Sequence, residues 1–146
     1  MKKISQTSDD FFTLRCYLTH DGQDVIDAWF SIQSPEIQAA FLTALKTLRG
    51  VRRKFWRTAL FDELGHGGQT ACVGLRRVKI VHKPKGGQPP EQQRILAFEG
   101  PGSCELTMLM GFNKDCDPDY SISCPIAQMR KAEVEDDPSR SCECKF

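Results

Sequence analysis

Cationic side chains recur through the middle of the chain at spacings that suit phosphate chemistry. Arg77 and Lys79 stand two apart in Gly74-Leu75-Arg76-Arg77-Val78-Lys79-Ile80-Val81, Arg94 begins Arg94-Ile95-Leu96-Ala97-Phe98, and Lys114 closes Leu106-Thr107-Met108-Leu109-Met110-Gly111-Phe112-Asn113-Lys114. Upstream, Arg52-Arg53-Lys54-Phe55-Trp56-Arg57 interleaves four cations with two aromatics. Fixed guanidinium and ammonium groups bind phosphate and neutralise charge developing on it, and rings among them can stack on bases. Trp56 has a simpler use, as an anchor of its loop on the core.

The formal net charge of +1 conceals an asymmetry. Residues 46–94 hold twelve Lys/Arg and three Asp/Glu, Asp62, Glu63 and Glu91, a local balance of +9; the rest of the chain carries −8. A near-neutral protein with a basic middle implies either a localised polyanion-binding face or a solvated loop and helix face. Other chemistries find little support. His20, His66 and His82 share no spacing with a nucleophile or a metal partner. Cys116, Cys124, Cys142 and Cys144 do not form the CxxC pairs of a zinc site, so no metal and no cofactor are expected. Gly65, Gly67 and Gly68 lack the Lys-Ser/Thr that completes a phosphate-binding glycine loop.

The cysteine count is odd, at seven. No apolar stretch follows the basic start Met1-Lys2-Lys3, so the reading is a cytoplasmic protein with reduced thiols. Cys72 and Cys104 are expected in strands as small apolar residues. No apolar run is long enough for a membrane span.

The elements that must position the cations can be read from periodicity and punctuation. Residues 13–20 alternate imperfectly, as a first strand would. Residues 24–32 are dense in apolar side chains and suggest a short helix. Ser34-Pro35-Glu36 is a strong helix start: a capping hydroxyl, a proline in the first turn, and a carboxylate at the positive end of the dipole. Ile37, Phe41, Leu45 and Leu48 then share one face, and Gly50 is expected to stop the helix in a left-handed turn. Three β-rich runs follow, joined by Gly/Pro turns, and predict an antiparallel meander. Period two places Arg77 and Lys79 on one face of the first and Val78 and Ile80 on the other. Pro125 is expected to open a short final helix with Ile126, Met129 and Ala132 inward. From residue 135 on, the composition suggests a disordered tail. The expected fold class is α+β: two N-terminal helices on a twisted antiparallel sheet, with a short C-terminal helix, over residues 1–134.

This order of motifs resembles the RelE/HigB-like toxins of the RelE/ParE superfamily, most closely the phage-derived branch. The Trp29 helix, Ser34-Pro35-Glu36, Trp56, Gly74-Leu75, Arg94-Ile95-Leu96 and Gly111-Phe112-Asn113-Lys114 carry the resemblance across residues 17–134. It implies a type II toxin that cleaves mRNA, usually on the ribosome, as a metal-independent endoribonuclease (mRNA interferase). It also implies a helix-turn-helix antitoxin as partner. Carried over by position, Lys79, Arg94, Lys114 and Tyr120 are the implied catalytic set. Arg94 and Lys79 would clamp the phosphate, Lys114 would assist at the attacking or leaving oxygen, and Tyr120 would stack on or orient a base. Arg52, Arg53, Lys54, Arg57 and Arg77 are the expected RNA-binding positions. The chain departs from the pattern at Asn113 and Asp115, which flank Lys114, and at Arg77, where the family carries an acidic residue. Simpler roles compete: Arg94 paired with Glu99 or Glu105, Lys79 guarding a strand edge, and Tyr120 packed in a loop. Relatives of the ParE type, which inhibit DNA gyrase, and an inactive phage-derived structural relative are the alternative classes.

Overall fold

The computed structural model describes residues 10–65 and 70–146. His66, Gly67 and Gly68 lie outside the described residues. The chain runs β1 (Thr13–Tyr17), α1 (Val25–Ser31), α2 (Pro35–Gly50), β2 (Phe61–Glu63), β3 (Arg76–His82), β4 (Glu91–Glu99), β5 (Glu105–Asn113), α3 (Ser123–Asp136) and β6 (Ser141–Glu143). The architecture is α+β, with one six-stranded sheet in the order β2-β3-β4-β5-β1-β6.

The two helices after β1 begin where capping chemistry places them. Asp24 accepts hydrogen bonds from the amides of Ile26 and Asp27 at 2.9 and 3.0 Å. Ser34 Oγ accepts from the Ile37 amide at 3.2 Å, with Pro35 in the first turn. These bonds satisfy amides that have no partner within the helix. Gly50 does not take the expected left-handed turn: it is the last helical residue, and the chain leaves through extended Val51 (φ −125°, ψ 136°).

The meander β3-β4-β5 is antiparallel, as its turns predict. The whole sheet is mixed, which corrects the expectation of a purely antiparallel one. β1 pairs with β5 in parallel, Leu14 opposite Leu106 and Cys16 opposite Met108. A pairing of that kind needs a long connection, and the stretch holding both helices, β2, β3 and β4 supplies it.

Helices α1 and α2 cover one face of the sheet, where Ile37, Phe41 and Leu45 pack with Val78, Ile80 and Ile95. Each fully buried side chain of this size contributes about 1.5–3 kcal/mol. Gly111 on β5 makes the close approach possible: a Cβ there would lie 2.7 Å from Trp29 Cγ. The same indole donates Nε1–H to Gln93 Oε1 at 3.2 Å. Helix α3 covers the other face, with Cys124, Ala127 and Val134 against Leu96, Phe98 and Leu109.

Two expectations for the C-terminus are corrected. Helix α3 starts two residues before Pro125 and runs 14 residues; its inward side chains are Cys124, Ala127 and Val134, while Met129 and Ala132 face solvent. The start is set by Asp117, whose carboxylate accepts from the Ile122 and Ser123 amides at 3.1 and 2.7 Å. Nor are residues 135–146 a disordered tail. Asp137 caps a short turn, and β6 pairs antiparallel with β1. Cys142 and Cys144 alternate with Ser141 and Glu143 at strand period, a signal too short to outweigh the polar composition around it.

The cysteines also depart from the reduced-thiol reading. Cys16 is bonded to Cys144 and Cys72 to Cys124; Cys104, Cys116 and Cys142 are free. Both bridges join segments far apart in sequence, so spacing could not reveal them.

Candidate nucleic-acid interface

The meander register brings three sequence-predicted positions into one row. Lys79 on β3 lies opposite Arg94 on β4, and Arg94 lies opposite Phe112 on β5. The row is on the α3 face of the sheet, near the end of β4 where the chain enters it. Over that end folds the 114–122 loop, which inserts Tyr120 against the sheet.

Tyr120 sits at φ +65°, a conformation uncommon for a non-glycine residue. Its ring meets Phe112 edge-on, with centroids 5.2 Å apart. Its hydroxyl oxygen accepts two hydrogen bonds, from Arg77 Nη1 at 3.0 Å and from Arg94 Nε at 3.1 Å. The residue is 1% exposed, so the ring orients the two arginines and does not lie open to a base.

Arg94 is 5% exposed. Its other donors reach the Gln93 carbonyl at 3.2 Å and Gln92 Oε1 at 2.7 Å. All three acceptors are neutral. Neither carboxylate considered for it from the sequence is its partner. Glu99 takes Arg53 and Arg76, and Glu105 lies 3.8 Å from Arg15. No ion pair to Arg94 occurs among the described residues. A guanidinium carries five N–H donors in a planar fork, so two remain for an incoming oxygen.

Arg77 and Lys79 are in a different electrostatic state. Arg77 Nε donates to Asp62 Oδ1 at 2.8 Å, and Lys79 Nζ lies 3.4 Å from Asp62 Oδ2. Lys79 Nζ also donates to the Thr58 carbonyl at 2.9 Å. Desolvation works to raise the Asp62 carboxyl, but the Arg77 hydrogen bonds and the Lys79 charge outweigh it and hold the group below the usual carboxylate range. The hydrogen bonds it donates to Asp62 push the Arg77 guanidinium further up. Asp62 is thus the carboxylate of the cluster. It lies on three-residue β2, too short to show an alternation, so nothing local in the sequence marks it. Gln92, aimed at Arg94, is hidden for a different reason: an uncharged residue carries no local signal.

Lys114 stands two residues beyond Phe112 and half-buried, at the start of a single helical turn that Asn113 caps by accepting from the Asp115 amide at 2.8 Å. Extending the β4–β5 register places it opposite Gln92. Its ammonium makes no hydrogen bond or ion pair among the described residues.

The remaining basic positions divide. Arg53 is structural: it bonds both Glu99 oxygens at 3.1 Å and lies over the Trp56 and Phe61 rings. Trp56 is buried and anchors its loop, as the simpler reading held. Glu99 is five residues along β4 from Arg94, about 17 Å at strand rise. Arg52 lies over the Phe11 ring, and Lys54 lies over Phe55. Arg57 instead flanks Lys79 in an open groove of about 930 Å³ between α2 and β3, whose other walls include Ala39, Thr43, Leu60 and Val81.

Chemically, the row offers a buried guanidinium with spare donors, a neighbouring Arg–Lys–Asp cluster, and a lysine at the rim. Among the described residues no three His, Cys, Asp or Glu side chains are grouped to hold a metal ion, and no helix is long and apolar enough to cross a membrane. No family model, curated protein or solved structure matches the chain.

Proposed function

We propose that this protein is a type II toxin of the RelE/HigB-like kind, an endoribonuclease that cleaves mRNA without a metal and is neutralised by a helix-turn-helix antitoxin. The observation that carries the reading is Arg94: a guanidinium 5% exposed, held by three neutral acceptors and by no carboxylate among the described residues. A buried cation without a counter-ion is costly, by several kcal/mol. An oxyanion meeting its two spare donors offsets that cost, and a phosphate supplies one.

In this mechanism RNA provides its own nucleophile. The 2′-hydroxyl attacks the adjacent phosphorus and loses its proton to water, the bond to the 5′-oxygen breaks, and a 2′,3′-cyclic phosphate forms. Negative charge grows on the non-bridging oxygens, where Arg94 donates. Lys79 shares the clamp once the phosphate competes with Asp62 for it. Lys114, at the rim, delivers a proton to the leaving 5′-oxygen. Tyr120 acts through Arg94 and Arg77, fixing the direction of both forks.

The test is cleavage of mRNA by the purified protein, with ribosomes present and Mg²⁺ supplied equally to all reactions. The expected product ends carry 2′,3′-cyclic phosphate, and a single 2′-deoxy substitution at the cut position blocks that cut. Cleavage that ignores the 2′-deoxy substitution contradicts the reading.

A second reading is a protein-binding relative without nuclease activity. Two observations favour it: Lys79 is already neutralised by Asp62, and an open, largely apolar groove of about 930 Å³ lies beside it. Growth arrest without RNA cleavage would select it.

A further inference from the structure

Three cysteines meet where the last strand joins the sheet. In antiparallel β6, Cys142 lies directly opposite Cys16 of β1. Strand period puts Cys142 and Cys144 on the same face as Cys16, toward α1 and α2. Ser141 turns to the opposite face, where Arg15 Nε donates to its hydroxyl at 3.0 Å. The disulfide nevertheless joins Cys16 to Cys144, at a Cα–Cα distance of 5.3 Å, and leaves the directly opposite Cys142 as a half-buried free thiol. Directly opposed residues of an antiparallel pair have Cα atoms about 4.5–5.5 Å apart, inside the range a disulfide spans. Cys16 therefore has two sulfur partners within reach on one short strand. The other free thiols are elsewhere: Cys104 donates to Asp10 at 3.3 Å, and Cys116 is exposed beyond β5.

We infer that Cys16, Cys142 and Cys144 form a thiol–disulfide exchange site that moves the covalent tether of the C-terminus between two positions. The step is isoelectronic. The Cys142 thiolate attacks Cys16 Sγ, a Cys16–Cys142 bond forms as the Cys16–Cys144 bond breaks, and the electron pair leaves on Cys144 Sγ. Cys144 takes up the proton that Cys142 released. No oxidant or reductant is consumed. Burial pushes the Cys142 thiol up, and the Asp24 carboxylate adds to this against Arg15 and Lys145. Mildly alkaline solution therefore draws out the attacking thiolate.

The two isomers differ in what they hold down. With Cys16–Cys144 closed, Cys144 is buried, its amide donates to the Leu14 carbonyl at 3.0 Å, and the Phe146 ring packs 4.7 Å from Phe30 and 5.3 Å from Phe41. With Cys16–Cys142 closed, the tether lies two residues earlier. Lys145 and Phe146 are then no longer fixed by the bridge, and the Phe30–Phe41 surface of the helix pair can be uncovered. The exchange site stands apart from the nuclease reading and survives its failure.

The sequence provides its own assay, because Glu143 separates the two candidate partners. The full chain is incubated without reductant at about pH 8.5, where more of the attacking thiolate is present than at neutral pH. Samples are blocked with N-ethylmaleimide, digested with trypsin and a glutamate-specific protease, and bridged peptides are identified by mass spectrometry. The expected result is two populations, Cys16–Cys144 with labelled Cys142 and Cys16–Cys142 with labelled Cys144. The Cys144→Ser variant is expected to carry Cys16–Cys142, and to lose Phe146 to carboxypeptidase several-fold faster than Cys142→Ser. Cys16–Cys144 alone at all times, or Cys16 labelled as a free thiol, overturns the inference. Because the native chain is assayed first, misfolding of either variant does not decide the result.

Discussion

Arg94 Nε donates to the Tyr120 hydroxyl at 3.1 Å, joining the middle strand of the meander to the loop that leads into α3. The same oxygen accepts from Arg77, so one phenol fixes two guanidinium forks. Removing that oxygen with Tyr120→Phe keeps the ring on Phe112 but leaves two donors without their acceptor. The expected loss is about 1–3 kcal/mol in urea unfolding. RNA cleavage should fall through kcat, because the clamp is misdirected and not removed. A variant with unchanged stability and cleavage would show that the contact positions nothing.

Asp62 and Glu99 make the fold sensitive to acid. At each, desolvation works upward but is outweighed, by Arg77 and Lys79 at Asp62 and by Arg53 and Arg76 at Glu99, so both carboxyls lie below their ordinary values. A depressed carboxyl stabilises the fold fully above its unfolded pKa of about 4, and that contribution is lost as pH falls through the lower folded value. Urea midpoints should therefore be flat near neutrality and drop steeply below about pH 4. Glu99→Gln should cost roughly 2 kcal/mol at pH 7, because two arginines lose a charged acceptor, and it should flatten the acid limb. An unchanged acid limb in Glu99→Gln would contradict this assignment.

Gly111 is required by Trp29. A Cβ at this position would sit 2.7–2.8 Å from three atoms of the indole. Gly111→Ala should therefore destabilise by about 1–3 kcal/mol through overpacking, with a shift in tryptophan fluorescence as the ring is displaced from Gln93. A neutral substitution would mean that Trp29 does not pack as described.

Removing residues 138–146 deletes β6 and the Cys16–Cys144 cross-link. That bridge closes 128 residues, and loops of this order carry about 4–5 kcal/mol of chain-entropy stabilisation. Thermal unfolding should show a large drop for the truncated chain. The Cys16→Ser variant should reproduce most of it, and reduction of the full chain should exceed it, because reduction also opens Cys72–Cys124.

What the sequence revealed followed from how local each signal is. Asp24, Ser34 and Pro35 act within one helical turn, and both helix starts were legible. Period two placed Arg77 and Lys79 on one face, and the Gly/Pro turns predicted the meander that sets Lys79 beside Arg94. Long-range pairings left no such trace. The parallel β1–β5 ladder, the β1–β6 pairing and both disulfides join residues far apart in sequence. Asp62 escaped notice because three residues cannot display a period, and its role depends on Arg77 across a strand. Asp117, capping α3 from five and six residues before the amides it binds, shifted the inward face of that helix away from Met129. The basic loop illustrates the reverse case: the dense local signal at Arg52-Arg53-Lys54 includes Arg53, which the fold commits to Glu99 and not to the Arg94 row.

The most direct test of the central claim is induction of the protein in a bacterial host, with growth followed and mRNA ends mapped, beside Arg94→Ala and Arg94→Lys. The account predicts growth arrest with new mRNA ends for the native chain. Both should be lost in Arg94→Ala, and in Arg94→Lys only partly recovered, because an ammonium restores charge without the two-pronged fork. New mRNA ends at undiminished frequency in a stably folded Arg94→Ala would contradict it.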